Sequence, residues 1–511
     1  MTQSFLSQRP QEAKKLYPYQ EEAIKKILAV LLERGDNSNI LFQLPTGGGK
    51  TVIFSEIVRR FIHSTNQKVL ILTHRIELLR QTLRALNETG VPSRLVTSEV
   101  KELDKNEENV CYLAMVETLS NRLQEDHKFI GDIDLVIVDE AHYNSFKKIF
   151  KYFEKATILG VTATPLSSNL NLPLNRFYQK VIVGQSISSL IELGYLSDAT
   201  TLTYDVDLKS LKIGFDGDYT TSSLDQFYSN YDMQDKLLAA YAEKSKGLKT
   251  LIFNSSIATS KIVKDLFTKA GYEIKHLDST NNKVERKATL EWFRKKPDAI
   301  LTSVGILTTG FDEPTVESII LNRATRSLTL YHQMIGRGSR RLPNKSHFNI
   351  IDLGDNARRL GLWQEYIDWA EIFVNPWKYI EYLNHKEQEM NAVPLYRIPD
   401  EVKDQFPNTD YEDFEFNVIE RYEDCITKGQ TTTGVIDECM EHHLKIILDN
   451  ANDDLFRAIE LLPLLDDEIN FRLQLYTSCM SKTTPNYFAW LYEDYIKKLK
   501  SKIRVNTKIM E

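Results

Sequence analysis

Apolar residues along this chain keep two rhythms. Ala23, Ile24, Ile27, Leu28 and Leu31 recur at spacings of three and four, which predicts a helix with one face on a core. Short unbroken apolar runs alternate with such stretches: residues 40–44, 68–73, 110–116, 133–138 and 158–161 each read as a buried strand of a parallel sheet. Helices are predicted between them, over 52–61 and around Leu78, Leu79 and Leu83. From Lys14 to about Leu196 the alternation describes one doubly wound α/β domain. It weakens over 196–247, predicting an interdomain connection with some structure of its own. Strands at 250–253, 272–277 and 299–304 and helices over 257–270, 284–293 and 331–341 then predict a second α/β domain over 248–358. Past Asp355 the strand signal stops, so residues 359–511 read as a mainly helical accessory domain, and 1–195 as the first α/β domain.

Composition narrows the class. With 511 residues, 42% of them hydrophobic and 26% charged, the chain has length for several sizeable cores. The stretch Met1–Lys15 is polar, and no window approaches the roughly 20 apolar residues of a membrane span, which predicts a cytoplasmic protein away from membranes. Cys111, Cys425, Cys439 and Cys479 form no Cys-x-x-Cys pair, as expected of reduced thiols. A net charge of −7 excludes only a protein that coats nucleic acid by bulk charge, because a groove can be basic on an acidic molecule.

The candidate chemistry begins at Pro45-Thr46-Gly47-Gly48-Gly49-Lys50-Thr51. Glycines after an apolar strand let backbone N–H groups curl around phosphate at a helix N-terminus; Lys50 would reach the β- and γ-phosphates and the Thr51 hydroxyl would hold Mg²⁺. The strict pattern asks for glycine where this chain has Leu44. Gln20, just before the first helix, is either an adenine reader, through its paired donor and acceptor, or a polar residue at a helix start. The strand 133–138 delivers Asp139-Glu140-Ala141-His142, with Asp139 suited to the Mg²⁺ shell and Glu140 to the attacking water. Thr162 and Thr164 follow the next strand and are placed to transmit the state of the nucleotide. His74 and Arg75 at a strand end, and Thr118 after another, are candidate nucleic-acid contacts. In the second domain Gln333, Arg337 and Arg340 fall at spacings of four and three, on one face of the predicted helix. Two arginines from a separate domain are what a γ-phosphate transition state requires.

Leu16-Tyr-Pro-Tyr-Gln20, the glycine loop, Asp-Glu-Ala-His, Thr-Ala-Thr, Thr308-Thr309-Gly310-Phe311-Asp312 and Gln333-Met-Ile-Gly-Arg-Gly-Ser-Arg340 together resemble the ordered motif set of superfamily 2 helicases. The resemblance implies two RecA-like domains in tandem, ATP and Mg²⁺ between them, and single-stranded nucleic acid across both. It further implies that Gln20 recognises adenine, that Gly310 and Asp312 couple the domains at the nucleotide, that His142 couples with Thr162 and Thr164, and that Asn254, Thr302 and Thr309 meet nucleic acid. Within the superfamily, Leu190 to Leu196, Leu307 to Pro314 and Leu330 to Arg337 look closest to RadD-type DNA-repair helicases of the DEAH-box kind. This implies DNA rather than RNA as the partner, with an RNA helicase or a motor-like subunit of a defence or repair complex as alternatives. The chain lacks the C-terminal Cys-x-x-Cys clusters of that type, so no zinc-bearing tail is implied.

In the last third, Trp363, Trp369 and Trp377 with Tyr366, Tyr379 and Tyr382 are either core or base-stacking residues. Cys439, His442 and His443 lack a complete tetrahedral set. A protein partner is the expected use of this helical region.

Overall fold

The computed structural model describes residues 16–33, 38–100, 103, 111–169, 171–215, 217–308, 310–391, 396, 398–428, 431–480 and 485–507. Met1–Lys15, Val110 and Thr309 lie outside the described residues. The chain divides into two compact units, Met1–Glu387 and Gln388–Glu511.

The first unit holds two parallel sheets. Seven strands, β1 (Ile40–Gln43), β2 (Val69–Thr73), β3 (Arg94–Val96), β4 (Cys111–Met115), β5 (Leu135–Asp139), β6 (Thr157–Thr162) and β7 (Lys180–Val183), run in the order β3-β4-β2-β5-β6-β1-β7. Every residue of β1, β2 and β5 is buried, as expected of strands covered by helices on both faces. Six more, β8 (Asp198–Thr203), β9 (Thr250–Asn254), β10 (Ile274–Leu277), β11 (Ile300–Ser303), β12 (Ser318–Asn322) and β13 (His347–Asp352), form the second sheet in the order β10-β11-β9-β12-β13-β8. These are tandem RecA-like domains, followed by a helical C-terminal region.

Two placements differ from the sequence expectation. The stretch 196–247 is part of the second domain: β8 pairs in parallel with β13 from Asp198↔His347 to Thr203↔Asp352, and Leu224, Met233 and Leu237 from its helices join that domain's core. As an edge strand, Asp-Ala-Thr-Thr-Leu-Thr has mostly partly exposed or exposed positions, so it lacks the apolar run that marks a central strand. Residues 359–387 belong to the first unit. Trp363 is buried against Phe348, ring centroids 5.6 Å apart, and Trp369 lies edge-on to His332 at 5.8 Å, so these two are core. Tyr366, Trp377 and Tyr382 are exposed.

The second unit is helical, with Val418–Thr427, Gly434–Ala451, Asp466–Ser478 and Pro485–Asn506 packed around Val435, Ile447, Leu465, Ile469 and Leu499. Among the described residues no group of three or more His, Cys, Asp or Glu side chains could hold a metal ion by itself, and no helix is long and apolar enough to cross a membrane.

Candidate nucleotide site

The glycine loop follows directly from β1. Gly47 and Gly49 adopt φ +90° and +86°, the left-handed region in which a side chain is strained, and Gly49 caps the helix Lys50–Thr65. Leu44 departs from the strict pattern because its side chain turns into the core. It is fully buried, and a β-carbon on Gly48 would come within 2.8 Å of its Cγ. The close approach is thus supplied at Gly48, while the Leu44 carbonyl accepts a hydrogen bond from Lys50 Nζ at 3.3 Å.

Asp139 ends β5 and Glu140 follows with φ +55°, its N–H donating to Asp139 Oδ1 at 3.0 Å. Both carboxylates are buried. Burial and the Glu140 charge push Asp139 up to about 7, against the pull of Lys50. Burial also works upward on Glu140, but Lys50, His142, Arg337 and His74 outweigh it and hold that carboxyl below its usual range. Glu140 Oε2 is buried without a hydrogen bond and lies 3.5 Å from His142 Nδ1. A carboxylate oxygen left unsatisfied beside a second carboxylate and the Thr51 position fits a divalent cation with its water.

The opposite wall comes from the second sheet. Arg337 is half-buried, donating from Nη1 to Phe311 O at 2.5 Å and from Nη2 to Thr308 O at 2.6 Å; desolvation of its guanidinium holds it down to about 10. Arg340 pairs with Asp312 at 3.2 Å, and its Nη1 is 3.4 Å from Gly47 O. The two arginines do not share a helix face. The helix Leu328–Ile335 stops at Gly336, where a β-carbon would strike Thr46 at 2.6 Å; beyond it Arg340 forms an antiparallel bridge with Leu196. Gln333, on the helix, meets His142 Nε2 at 3.3 Å. A cavity of about 540 Å³ joins the parts, lined by Thr46, Gly47, Lys50, Thr51, Asp139, Glu140, Gly310, Asp312, Arg337 and Arg340.

The coupling candidates fall between the sheets. Thr162 Oγ1 lies 3.0 Å from His142 Nδ1, and Thr164 Oγ1 donates to Thr329 Oγ1 across the cleft at 2.9 Å. Gly310 (φ +73°) abuts Glu77, which pairs with Arg286 at 3.2 Å. Gln20 is spent locally: its Oε1 accepts from Tyr17 N–H at 3.0 Å, capping its own helix, and its Nε2 is 3.5 Å from Gly48 O.

The six expected nucleic-acid contacts separate. Asn254 and Thr302 are buried, and their polar groups serve each other at 2.7 Å, with Asn322 and Ser260 extending the chain. They therefore knit the strand ends of the second sheet and are not presented to a ligand. Arg75 Nη1 donates to Ile306 O at 3.3 Å, across the domains. His74 stacks on Tyr143 at 4.1 Å; neither ring nitrogen has a hydrogen bond, and burial holds it down to about 4. Thr118 is partly exposed in the first turn of Val116–Glu125. Thr309 lies outside the described residues.

Sequence reasoning missed Tyr19, whose hydroxyl donates to Gly48 O at 2.7 Å, and Ser339, whose Oγ is 3.5 Å from Thr46 O. Both sit inside recognised motifs, and that position was their only signal.

Two family models match: "Type III restriction enzyme, res subunit" over residues 13–167 and "Helicase conserved C-terminal domain" over 230–341. A candidate ATP-dependent helicase of Saccharomyces cerevisiae, IRC3, is 31% identical over 359 residues, covering 66% of this chain and 51% of its own. The chain thus spans about half the length of that relative. In fold it is similar to a fragment of a candidate HsdR subunit of a type I restriction enzyme from Vibrio vulnificus YJ016, with a TM-score of 0.53, 23% identity and 68% and 67% of the two chains covered. It is also similar to the ATP-dependent Type ISP restriction-modification enzyme LlaBIII bound to DNA, with a TM-score of 0.52, 16% identity and 96% and 40% covered.

Proposed function

We propose that the chain is built on a superfamily 2 helicase core and that it hydrolyses ATP to move along DNA. The observation that carries the reading is the single cavity in which Lys50 and the Asp139–Glu140 pair of one sheet face Arg337 and Arg340 of the other. The amides of Gly47 to Thr51 and Lys50 take the phosphates. Thr51 and Asp139 would hold Mg²⁺, which when bound supplies countercharge to the β- and γ-oxygens. Glu140, with its free Oε2, orients the attacking water, and Arg337 with Arg340 balances charge on the transferring phosphoryl group. Gln20 lies beside the glycine loop, and we assign it to the adenine, which it would meet by exchanging its local bonds. Links such as Gln333 to His142 and Thr164 to Thr329 make domain closure and nucleotide state one event.

DNA is favoured over RNA by the restriction-enzyme kinship of the first domain and by the DNA-bound relative in fold. His74, Arg75, Thr118 and Thr309 remain the contacts we assign to the strand. The RadD-like motifs support a place in repair or genome defence. A motor-like subunit that hydrolyses ATP without unwinding is the second reading, favoured by the likeness to a restriction-enzyme subunit. The helical unit would then dock its partner. The test compares ATP hydrolysis with single-stranded DNA, duplex DNA and RNA, beside strand displacement. DNA-stimulated turnover that Lys50→Ala abolishes is expected. Stimulation by RNA alone reverses the choice of partner, and the absence of hydrolysis under every condition overturns the reading.

A further inference from the structure

The first sheet hands the chain to the second through Gly194-Tyr195-Leu196-Ser197, and this crossing touches both the glycine-loop side and the Arg340 segment of the nucleotide site. Gly194, at φ +76°, ends the preceding helix. Leu196 then bridges to Arg340, Ser197 N–H donates to Ser339 O at 2.8 Å and Ser197 Oγ to Arg340 O at 2.9 Å. The backbone of the arginine segment is therefore pinned to the crossing, and so is the origin of the Arg340 side chain.

The Tyr195 ring faces the other way. Its centroid is 4.3 Å from that of Tyr17 and 5.0 Å from that of Tyr19, both at the start of the first helix. Tyr19 in turn holds the glycine loop through Gly48 O at 2.7 Å. One residue thus stands between a ring pair anchored on the loop and a backbone anchored on Arg340. The crossing lies in the Leu190–Leu196 stretch that carries part of the family resemblance; a flexible connection would still join the domains, but would leave Arg340 free to shift against the phosphates.

We propose that Tyr195 is a positioning residue for hydrolysis, whose stack on Tyr17 and Tyr19 fixes Arg340 against the phosphate loop when the domains close. The proposal rests on the reading of this cavity as an ATPase site. It acts on the transition state, because Arg340 is needed as charge builds on the γ-phosphate and much less for holding the ground state. Removing the ring therefore lowers kcat and leaves nucleotide affinity nearly unchanged.

The experiment measures DNA-stimulated ATP turnover and binding of a fluorescent ATP analogue for the full chain and its variants. Tyr195→Leu is expected to lower kcat about tenfold with little change in Kd, and Tyr195→Phe, which keeps the ring, to restore it. Tyr17→Leu, at a half-exposed ring, reproduces the loss even where Tyr195→Leu folds poorly. On an Arg340→Ala background neither leucine variant costs further turnover, because the stack acts through that arginine. Losses that multiply in the double variants, or that appear in Kd with kcat intact, overturn the proposal. A wild-type chain without any hydrolysis instead refutes the function on which it rests.

Discussion

Two buried clusters of charge, one in each unit, are built to opposite ends. In the C-terminal unit Glu468 accepts hydrogen bonds from Arg472 Nε and joins His443 Nε2, while His443 Nδ1 meets Tyr495 OH at 2.6 Å. Arg472 closes the set with His442 Nδ1 at 3.0 Å and Phe414 O at 2.9 Å. In the nucleotide cleft, Glu140 Oε2 and Arg337 Nε are buried without hydrogen bonds. Satisfied charges lock four helical segments together; on the function proposed above, the unsatisfied ones are completed by the nucleotide. Residue type does not tell the two apart, since both clusters contain glutamate, arginine and histidine.

The comparison can be broken at either end. The largest effect is expected from Arg337→Ala, which should lower turnover about 10³- to 10⁵-fold, or roughly 4–7 kcal/mol of barrier, with little change in melting temperature. An equal loss of fold stability would make the cleft cluster structural. Glu468→Ala leaves Arg472 buried and unpaired, and should destabilise the C-terminal unit by about 3–5 kcal/mol in urea titrations followed by circular dichroism.

That unit should also be acid-sensitive. Burial holds His443 below its usual range, so as pH falls through about 6.5 the unfolded histidine takes a proton that the folded one refuses, and stability drops. Burial works upward on Glu468, but His443 and Arg472 outweigh it and hold it low, so its stabilisation persists above about 4.3 and is lost below, through the folded value. Constant stability from neutral pH down to the carboxylate range would contradict the closed network.

Smaller effects test positions where the motif pattern misleads. Leu44→Gly restores the strict loop sequence, yet it empties a fully buried site and should cost about 3 kcal/mol with no gain in turnover. Asn254→Ala breaks the network through Thr302 and Asn322 and should cost about 1–3 kcal/mol while DNA affinity stays within about twofold. A selective loss of DNA binding would return Asn254 to the interface.

Much of this was legible in the chain because local chemistry writes itself locally. Fully buried strands such as Val69–Thr73 require unbroken apolar runs, and a left-handed phosphate loop requires glycine at positions 47 and 49. Legibility failed where a neighbour distant in sequence decided the outcome. Arg337 and Arg340 have helical spacing, but Gly336 meets Thr46 almost three hundred residues away and the helix ends there. β8 carries too few apolar residues to announce itself, because an edge strand is held by β13 on one side only.

The alternation of strands and helices, the glycine loop and the carboxylate pair were readable from the residues alone, since each depends on positions close together in the chain. Which buried charges keep an unpaired atom, which polar residues are consumed in the interior, and how Tyr195 stands between the loop and the arginine follow from the packing of the fold. Satisfaction of a buried group depends on what packs against it, and packing partners here come from opposite ends of the fold.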